Sequence, residues 1–567
     1  AVGRMAGFSH GVALHSIKRQ GEWGDEGMAT VTQKHRMIAV NTPLGEDVLV
    51  FGRMTASEQL GRLFEFDVEL FSEKTDLQIA DMLGKNMTIR LELPNRRGTR
   101  YFNGFVTRFG YLGTRGLRYG AYRATLSPWL WFLTRTSDCR IFQKKKVPDI
   151  IKEIFREQGF TDFKDRLSGS YREWEYCVQY RETDFNFVSR MMEQEGIYYY
   201  FTHENGKHTL VLADGYSSHG KFPGYDQLPY FPTDIHDHRE RDHLSEWFAF
   251  KQVQPGAYVL NDFDFKAPRK NLRAVLNQPK NHALADFEMY DYPGEYTEPG
   301  DGNNYSKIRL QELLAQHEIA QGRGNAAGLA VGYLFSLTRC PREEQNREYL
   351  IVSAMHRMES DEYESFSGAA ISGKPYQGEI TVIEAKQPYR APRITPKPMM
   401  QGPQTAIVVG PKGEEIYTDQ YGRVKCHFHW DRHDKADENS SCWIRVAQGW
   451  AGKKWGILYL PRIGHEVIVD FLEGDPDQPI ITGRVYNGIN MPPYTLPDNK
   501  TMSTLKSLSS KGGGGFNEFR FEDKKGEEQI FLHAERNEDI RVKKDAFEWI
   551  GSERHMIVKK KQFEQVE

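Results

Sequence analysis

Apolar residues fall at every second position in many short runs of this chain, the period of a half-buried strand, and at helical spacing in only a few stretches. Residues 60–73 (LGRLFEFDVELFSE) show this cleanly: Phe64, Phe66, Val68 and Leu70 share one face, and Leu63, Glu65, Asp67 and Glu69 the other. Similar runs predict strands over 36–40, 48–54, 87–93, 101–109 and 116–126, with a brief helical turn at 79–83. Trp129, Leu130, Trp131, Phe132 and Leu133 read as core packing. Helical spacing predicts a helix over 147–158, with Ile150, Ile151, Ile154 and Phe155 inward. A second is predicted over 183–194, with Thr183 as N-cap, Phe187, Val188, Met191 and Met192 inward, and Gly196 as terminator. A third is predicted over 306–321. Strands are expected at 197–202, 209–212, 330–338, 349–355 and 377–383, a pair at 247–252 and 258–265, and a polar loop over 268–304. Five prolines from Pro388 to Pro403 predict a stiff extended linker.

Residues 405–490 read as a small barrel. The turn Asp419-Gln420-Tyr421-Gly422 precedes Arg423 and an alternating run in which Val424, Cys426, Phe428 and Trp430 face one way. Further short strands are predicted at 441–446, 456–460, 466–471 and 480–486, and Gly474-Asp475-Pro476 opens a tight polar turn. Five short strands with Gly/Pro punctuation fit an OB-type barrel. A Ser/Thr-rich stretch and the joint Gly512, Gly513, Gly514, Gly515 follow, expected to be flexible. From 516 to 567 the texture changes: Phe519, Phe521, Ile530, Leu532, Ile540 and Val542 are spread among charges that make up nearly half of the segment. One copy of such a segment cannot bury enough apolar surface to offset its chain entropy. Several copies wound together can, as a β-prism whose core these six residues would form. The alternative is a disordered charged tail.

At 567 residues the chain is expected to hold several domains. A formal net charge of −3 gives no electrostatic case for a nucleic-acid partner. Five widely spaced cysteines make no disulfide framework and suit a reducing cytoplasm. No apolar run is long enough to span a bilayer, and the first 27 residues have no apolar signal-peptide core. Met28 reads as a natural start, so what precedes it is expected to be an expression tag or a disordered extension.

Candidate chemistry is thin. Cys426, His427, His429 and His433 cluster with Cys442, but Cys426 should point away from the two neighbouring imidazoles, and no pair has structural-zinc spacing. The glycine run lacks the order of a phosphate loop, because Lys511 precedes it. The carboxylate pairs Glu193 with Glu195 and Asp470 with Glu473 read as solvated surface charge. Arg423, Lys425, His427, His429 and Arg432 resemble a basic groove, but Asp431, Asp434, Asp437 and Glu438 offset it. The segment between Asn490 and Phe516 is too short for an enzyme domain. No catalytic residue, metal or cofactor is expected.

Residues 419–432 (DQYGRVKCHFHWDR), 474–487 (GDPDQPIITGRVYN) and 516–540 (FNEFRFEDKKGEEQIFLHAERNEDI) together resemble the VgrG family, trimeric spikes of the bacterial type VI secretion system akin to the hub and needle proteins of contractile phage tails. The resemblance extends upstream through 60–73 and through 180–201 (YRETDFNFVSRMMEQEGIYYYF). It implies a mainly β, multi-domain protein with a few helices: β-barrel hub domains, an OB-fold collar, and the start of an intertwined triple-stranded β-prism or β-helix needle. The expected parts are an extension at 1–29, a base of two barrel-like subdomains at 30–387, a linker at 388–404, the barrel at 405–490, a connector at 491–515 and a truncated needle from 516 to 567. The resemblance further implies a non-enzymatic homotrimer. An Hcp-type hexameric tube would lie at its base and a PAAR-type protein at its tip, with baseplate proteins and effectors as further partners. Such a spike is made in the cytoplasm and driven through a target membrane on sheath contraction. The alternatives are a phage-like tail hub, and a spike with an enzymatic toxin domain beyond the needle.

Overall fold

The computed structural model describes residues 31–94, 98–116, 118–232, 241–360 and 375–566, so the extension expected at 1–29 lies outside the described residues. The chain divides into two compact units. One holds the described residues up to Asp138 together with Lys145–Trp174 and Arg181–Lys397; the other holds Cys139–Lys144, Glu175–Tyr180 and Pro398–Glu567.

The first unit, the base, is built on a 13-stranded sheet. Its main path runs Ile38–Asn41, Asn86–Glu92, Thr99–Arg115, Tyr119–Ser127, Glu65–Ser72, Val50–Gln59, Glu348–Glu359, Tyr376–Glu384, Glu318–Gly324 and Leu244–Lys251. The two expected barrel-like sets of strands are thus joined in one sheet, where Val50–Gln59 pairs antiparallel with Glu348–Glu359. The alternation at 60–73 holds: Phe64, Phe66, Val68 and Leu70 are buried. Phe64 stacks on Phe66 at 4.3 Å and meets Phe201 edge-on at 5.0 Å.

Two helices form where the spacing predicts them, α1 (Val147–Glu157) and α2 (Asp184–Glu195). The Thr183 side chain accepts the Asn186 amide, and Gly196 ends α2 in the left-handed region at φ 72°. Trp129, buried in the 3-10 helix Trp129–Arg135, meets Phe155 at 5.0 Å and Phe160 at 4.9 Å.

In this unit four expectations need correction. The third helix, α3 (Pro299–Leu314), starts earlier and stops earlier than apolar spacing suggests, and Glu318–Gly324 is a strand. That strand has partners on both edges, Leu244–Lys251 and Tyr376–Glu384, and pairing on both sides overrides local helix preference. Consequently 247–252 does not pair with 258–265. Ala257–Leu260 pairs instead with Ala274–Asn277 and Glu288–Asp291, two strands inside the expected loop, and packs Tyr258 and Leu260 against Tyr305, Ile308 and Leu314 of α3. The Pro-rich linker is not a free spacer over its first half. Arg390 donates to the Gly196 and Asp214 carbonyls at 2.7 and 2.8 Å, and the Glu193 carboxylate accepts the Ile394 and Thr395 amides.

In the second unit a five-stranded sheet runs Lys425–Phe428, Gln404–Val409, Glu466–Phe471, Pro479–Val485 and Arg445–Val446. Ala406, Val408, Val424, Cys426, Phe428, Ile444, Val467, Val469 and Ile481 form its core. The run 456–460 is not one of its strands; Gln404–Val409, hidden behind the prolines, takes that place. A second antiparallel sheet joins Met502–Lys506, Glu518–Glu522 and Gln529–His533. Residues 507–517 are therefore a hairpin connection, closed by Ser509 N–H to the Gly515 carbonyl at 2.8 Å. The glycine run sits in a turn of the needle, not in a joint before it, and the boundary expected at 515/516 falls inside a hairpin.

Candidate functional site

The last sheet has two unlike faces. On one, Phe519 stands opposite Leu532 and Phe521 opposite Ile530, with Leu505 beside Phe519. Five apolar side chains thus line up on three adjacent strands, the arrangement that normally stabilises a sheet by burial. Here they are 37–68 % exposed. The other face is closed within the chain: Glu518 is buried and accepts from the Tyr494 and Thr504 hydroxyls, and the Arg520 guanidinium lies 4.5 Å over the Phe531 ring. Ile540 and Val542 are exposed as well, on a stretch without strand pairing. An apolar face left bare on a paired sheet, while the charged reverse is largely bonded within the chain, is the kind of surface that marks an assembly site.

The barrel turns are tightly bonded. The Asp419 carboxylate accepts the Tyr421 and Arg423 amides at 3.0 Å each and holds the Arg423 guanidinium at 2.8 Å. Burial pushes its pKa up, but the bonds from Arg423 outweigh that and hold it below the usual carboxylate value. Gly422 takes φ 71°. Gly474 takes φ 69°, and its carbonyl accepts the Met400 amide at 2.8 Å. The Asp475 carboxylate accepts the Asp477 amide, Pro476 is buried, and Asp477 in turn accepts the Val178 amide at 2.7 Å.

The residues weighed for chemistry are dispersed. Cys426 faces the core, and burial pushes its thiol well up. His427 pairs with Asp434 at 2.7 Å, and His429 reaches the Thr405 hydroxyl. Glu193 and Glu195 are buried rather than solvated. Glu193 pairs with Arg62 at 2.9 Å, whereas Glu195 accepts from Trp174 and Tyr305 at 2.8 Å each. Burial pushes the Glu195 pKa up.

Two features escaped the sequence reading. One is a buried polar centre in the base: the Glu58 carboxylate lies 3.2 Å from His356, 3.4 Å from His203 and 3.4 Å from Arg100. These residues lie on strands far apart in the chain, and no motif announces them. The other is residues 449–459, all exposed although they include Trp450, Trp455, Ile457, Leu458 and Tyr459. Two tryptophans flanking a Lys-Lys turn were the signal for it.

Three family models match successive parts of the chain: "Phage tail baseplate hub (GPD)" over 57–362, "Type VI secretion system/phage-baseplate injector OB domain" over 404–486, and "Bacteriophage T4 gp5 C-terminal trimerisation domain" over 503–567. The type VI secretion system spike protein VgrG1b of Pseudomonas aeruginosa is 54 % identical over 526 residues, 92 % of this chain and 70 % of that protein. The chain belongs to the VgrG family of spike proteins. VgrG1a of the same organism is also 54 % identical, over 80 % of its length. The actin cross-linking toxin VgrG1 of Vibrio cholerae is 38 % identical over 87 % of this chain, which covers 45 % of the toxin. Among solved structures, an Escherichia coli type VI component described as similar to the T4 tail proteins gp27 and gp5 shares the fold at TM-score 0.55 and 20 % identity, covering 77 % of this chain and 97 % of its own. A Francisella PdpA–VgrG complex does so at TM-score 0.56 and 9 % identity, covering 88 % and 87 %. The chain is a spike of the type VI secretion system, mainly β, with hub, OB-fold and trimerisation parts in that order. The bare face of Phe519, Phe521, Ile530 and Leu532 lies in the trimerisation part.

Proposed function

We propose that three copies of this chain form a non-enzymatic puncturing spike. The observation that carries this reading is the sheet face of Phe519, Phe521, Ile530 and Leu532, bare in one copy. In a homotrimer these residues, with Ile540 and Val542 further along, meet their counterparts on a three-fold axis, so that no copy's apolar face stays in water. A prism closed in this way leaves no free strand edge and resists bending. The turns around Asp419, Gly422 and Arg423 and around Gly474, Asp475 and Pro476 hold the collar from which it rises. The base docks on an Hcp-type hexameric tube amid baseplate proteins, a PAAR-type protein caps the tip, and effectors ride on the assembly. The spike is made in the cytoplasm and leaves with the machine, crossing the target membrane transiently when the sheath contracts. Relatives named as spike proteins at 54 % identity support the mechanical role. The test is the absolute mass of the full chain by light scattering coupled to size exclusion. We expect three times 65.6 kDa; a monomer at micromolar concentration overturns the reading.

A further inference from the structure

Among the residues weighed for chemistry, two cysteines that lie apart in sequence meet in the barrel. Val424 and Ile444 form an antiparallel bridge and exchange both backbone bonds, Val424 N–H to the Ile444 carbonyl at 3.0 Å and Ile444 N–H to the Val424 carbonyl at 2.8 Å. That bridge sets the register of the two segments. One step on, Lys425 stands opposite Trp443, and its ammonium lies 5.3 Å from the indole centre. Two steps on, Cys426 stands opposite Cys442. Side chains alternate between faces, so both thiols lie on the side of Val424 and Ile444, which is the core. Cys426 is sealed within that core, whereas Cys442 packs against it and stays partly exposed. Both are free thiols.

We infer that Cys426 and Cys442 are a redox site of the barrel, a dithiol that closes to a cross-strand disulfide when the spike leaves a reducing compartment. Opposed residues of an antiparallel pair have Cα atoms about 4.5–5.5 Å apart, inside the span of about 4.4–6.8 Å that a disulfide bridges. The ladder also has slack at this pair. The Ser441 hydroxyl accepts the Cys426 amide at 2.9 Å and donates to the Cys442 carbonyl at 2.8 Å. A hydroxyl thus stands where a direct backbone bond would fix the strand spacing, and that spacing can adjust to the new bond. The co-reactant is a small-molecule or protein disulfide. The Cys442 sulfur, the reachable one, loses its proton to solvent and attacks that disulfide; one thiolate leaves, and a mixed disulfide forms. The Cys426 sulfur then loses its proton and attacks the Cys442 sulfur, and the second thiolate leaves. Two protein thiols are oxidised, one disulfide is reduced to two thiols, and the two protons end on the leaving sulfurs. Burial, with the Glu175 carboxylate nearby, pushes the Cys442 thiol up to about 12, so thiolate is scarce at neutral pH and the pair closes slowly. The bond would hold both ends of the loop 427–441, which carries the His427–Asp434 pair. The dithiol itself is independent of the function proposed above; only the occasion for its closing, exit from the cytoplasm, rests on that reading.

The test uses the full chain. Protein purified in dithiothreitol is moved into oxidised glutathione at mildly alkaline pH, then denatured, and every remaining thiol is alkylated and mapped by mass spectrometry. We expect two of the five thiols per chain to be lost, with the peptides holding Cys426 and Cys442 joined within one copy until reductant is added back. In Cys426→Ala and in Cys442→Ala no disulfide should form within the chain. Five alkylatable thiols throughout, a bond to Cys139, Cys177 or Cys340 instead, or a bond between copies overturns the redox site and leaves the spike reading standing. A monomeric parent chain that still joins Cys426 to Cys442 overturns the homotrimer and leaves the redox site standing.

Discussion

The base and the needle handle apolar surface in opposite ways. In the base, strands from distant parts of the chain bury Phe51, Phe64, Phe66 and Phe102 to less than 3 % exposure. In the needle, Phe519 and Phe521 stay more than a third exposed even though their strands are fully paired. Backbone pairing is thus complete in both, and what differs is the second layer: the base supplies its own, whereas the needle face has none within one copy. On the homotrimer proposed above, the stability of the needle is expected to depend on concentration, and that of the base much less. The comparison breaks if a needle substitution destabilises the base, or a core substitution in the base dissociates the trimer.

The sharpest way to try is to charge the needle face. F521D/I530D places two carboxylates per copy on a cross-strand pair. Buried together on a three-fold axis they would cost more than about 5 kcal/mol over three copies. We expect mass measurement to give single chains, with the thermal transition of the base unmoved within about 0.5 kcal/mol; a surviving trimer would show that this face is not the core. The mirror experiment is Trp129→Ala. Removing the buried indole between Phe155 and Phe160 should cost about 3–5 kcal/mol of base stability in a denaturant titration, with trimer mass unchanged below the transition.

Acid should separate the two regions next. His356 is enclosed by Glu58, Arg100 and Tyr376, and burial with the nearby guanidinium pushes its pKa down to about 4. Burial does the same to His219, also to about 4. An unfolded chain takes up those protons near the ordinary imidazole value, while the folded base refuses them until about pH 4. The unfolded state therefore binds more protons across that window, and stability falls as pH drops through it, by roughly 3 kcal/mol for His356 alone. Glu58 acts in the same direction at still lower pH: burial pushes its pKa up, but the bonds from His203 and His356 outweigh this and hold it far below the usual range. Unfolding midpoints in urea at pH 7 and pH 4.5 test this; equal midpoints would mean that the imidazoles are not sealed.

Much of this was legible beforehand. The period-two faces of 60–73 and of Val424, Cys426 and Phe428, the cap at Thr183, and the shared sheet face of Phe519, Phe521, Ile530 and Leu532 are local signals, each decided within a few residues of chain. What stayed hidden depends on distance. Glu318–Gly324 is a strand because of partners more than 50 residues away on either side. Glu193 and Glu195 read as surface charge because Arg62, Trp174 and Tyr305, which bury them, lie elsewhere in the sequence. The hairpin at 449–459 failed in the opposite way: its apolar run imitates a barrel strand, but a bare apolar run and a buried one look alike until the neighbours are placed.

The smallest effect comes from the collar turn, and it tests how far local backbone geometry alone supports a region that assembles through other chains. Gly422 sits at φ 71° between the Asp419 bonds and the strand Lys425–Phe428, with only Leu460 Cδ2 at 3.4 Å from where a Cβ would lie. Space is therefore not the constraint; the left-handed backbone is. A β-branched residue is strained there, while asparagine tolerates the region. We expect Gly422→Val to cost about 1–2 kcal/mol of collar stability and Gly422→Asn less than about 1 kcal/mol, both read by chemical denaturation of the intact assembly. If valine and asparagine behave alike, the turn has another conformation open to it, and the Asp419–Arg423 bonds rather than the glycine define the collar edge. If valine instead dissociates the trimer at concentrations where the parent holds, collar folding and assembly are a single step, and the dependence on other copies expected of the needle extends back to this turn.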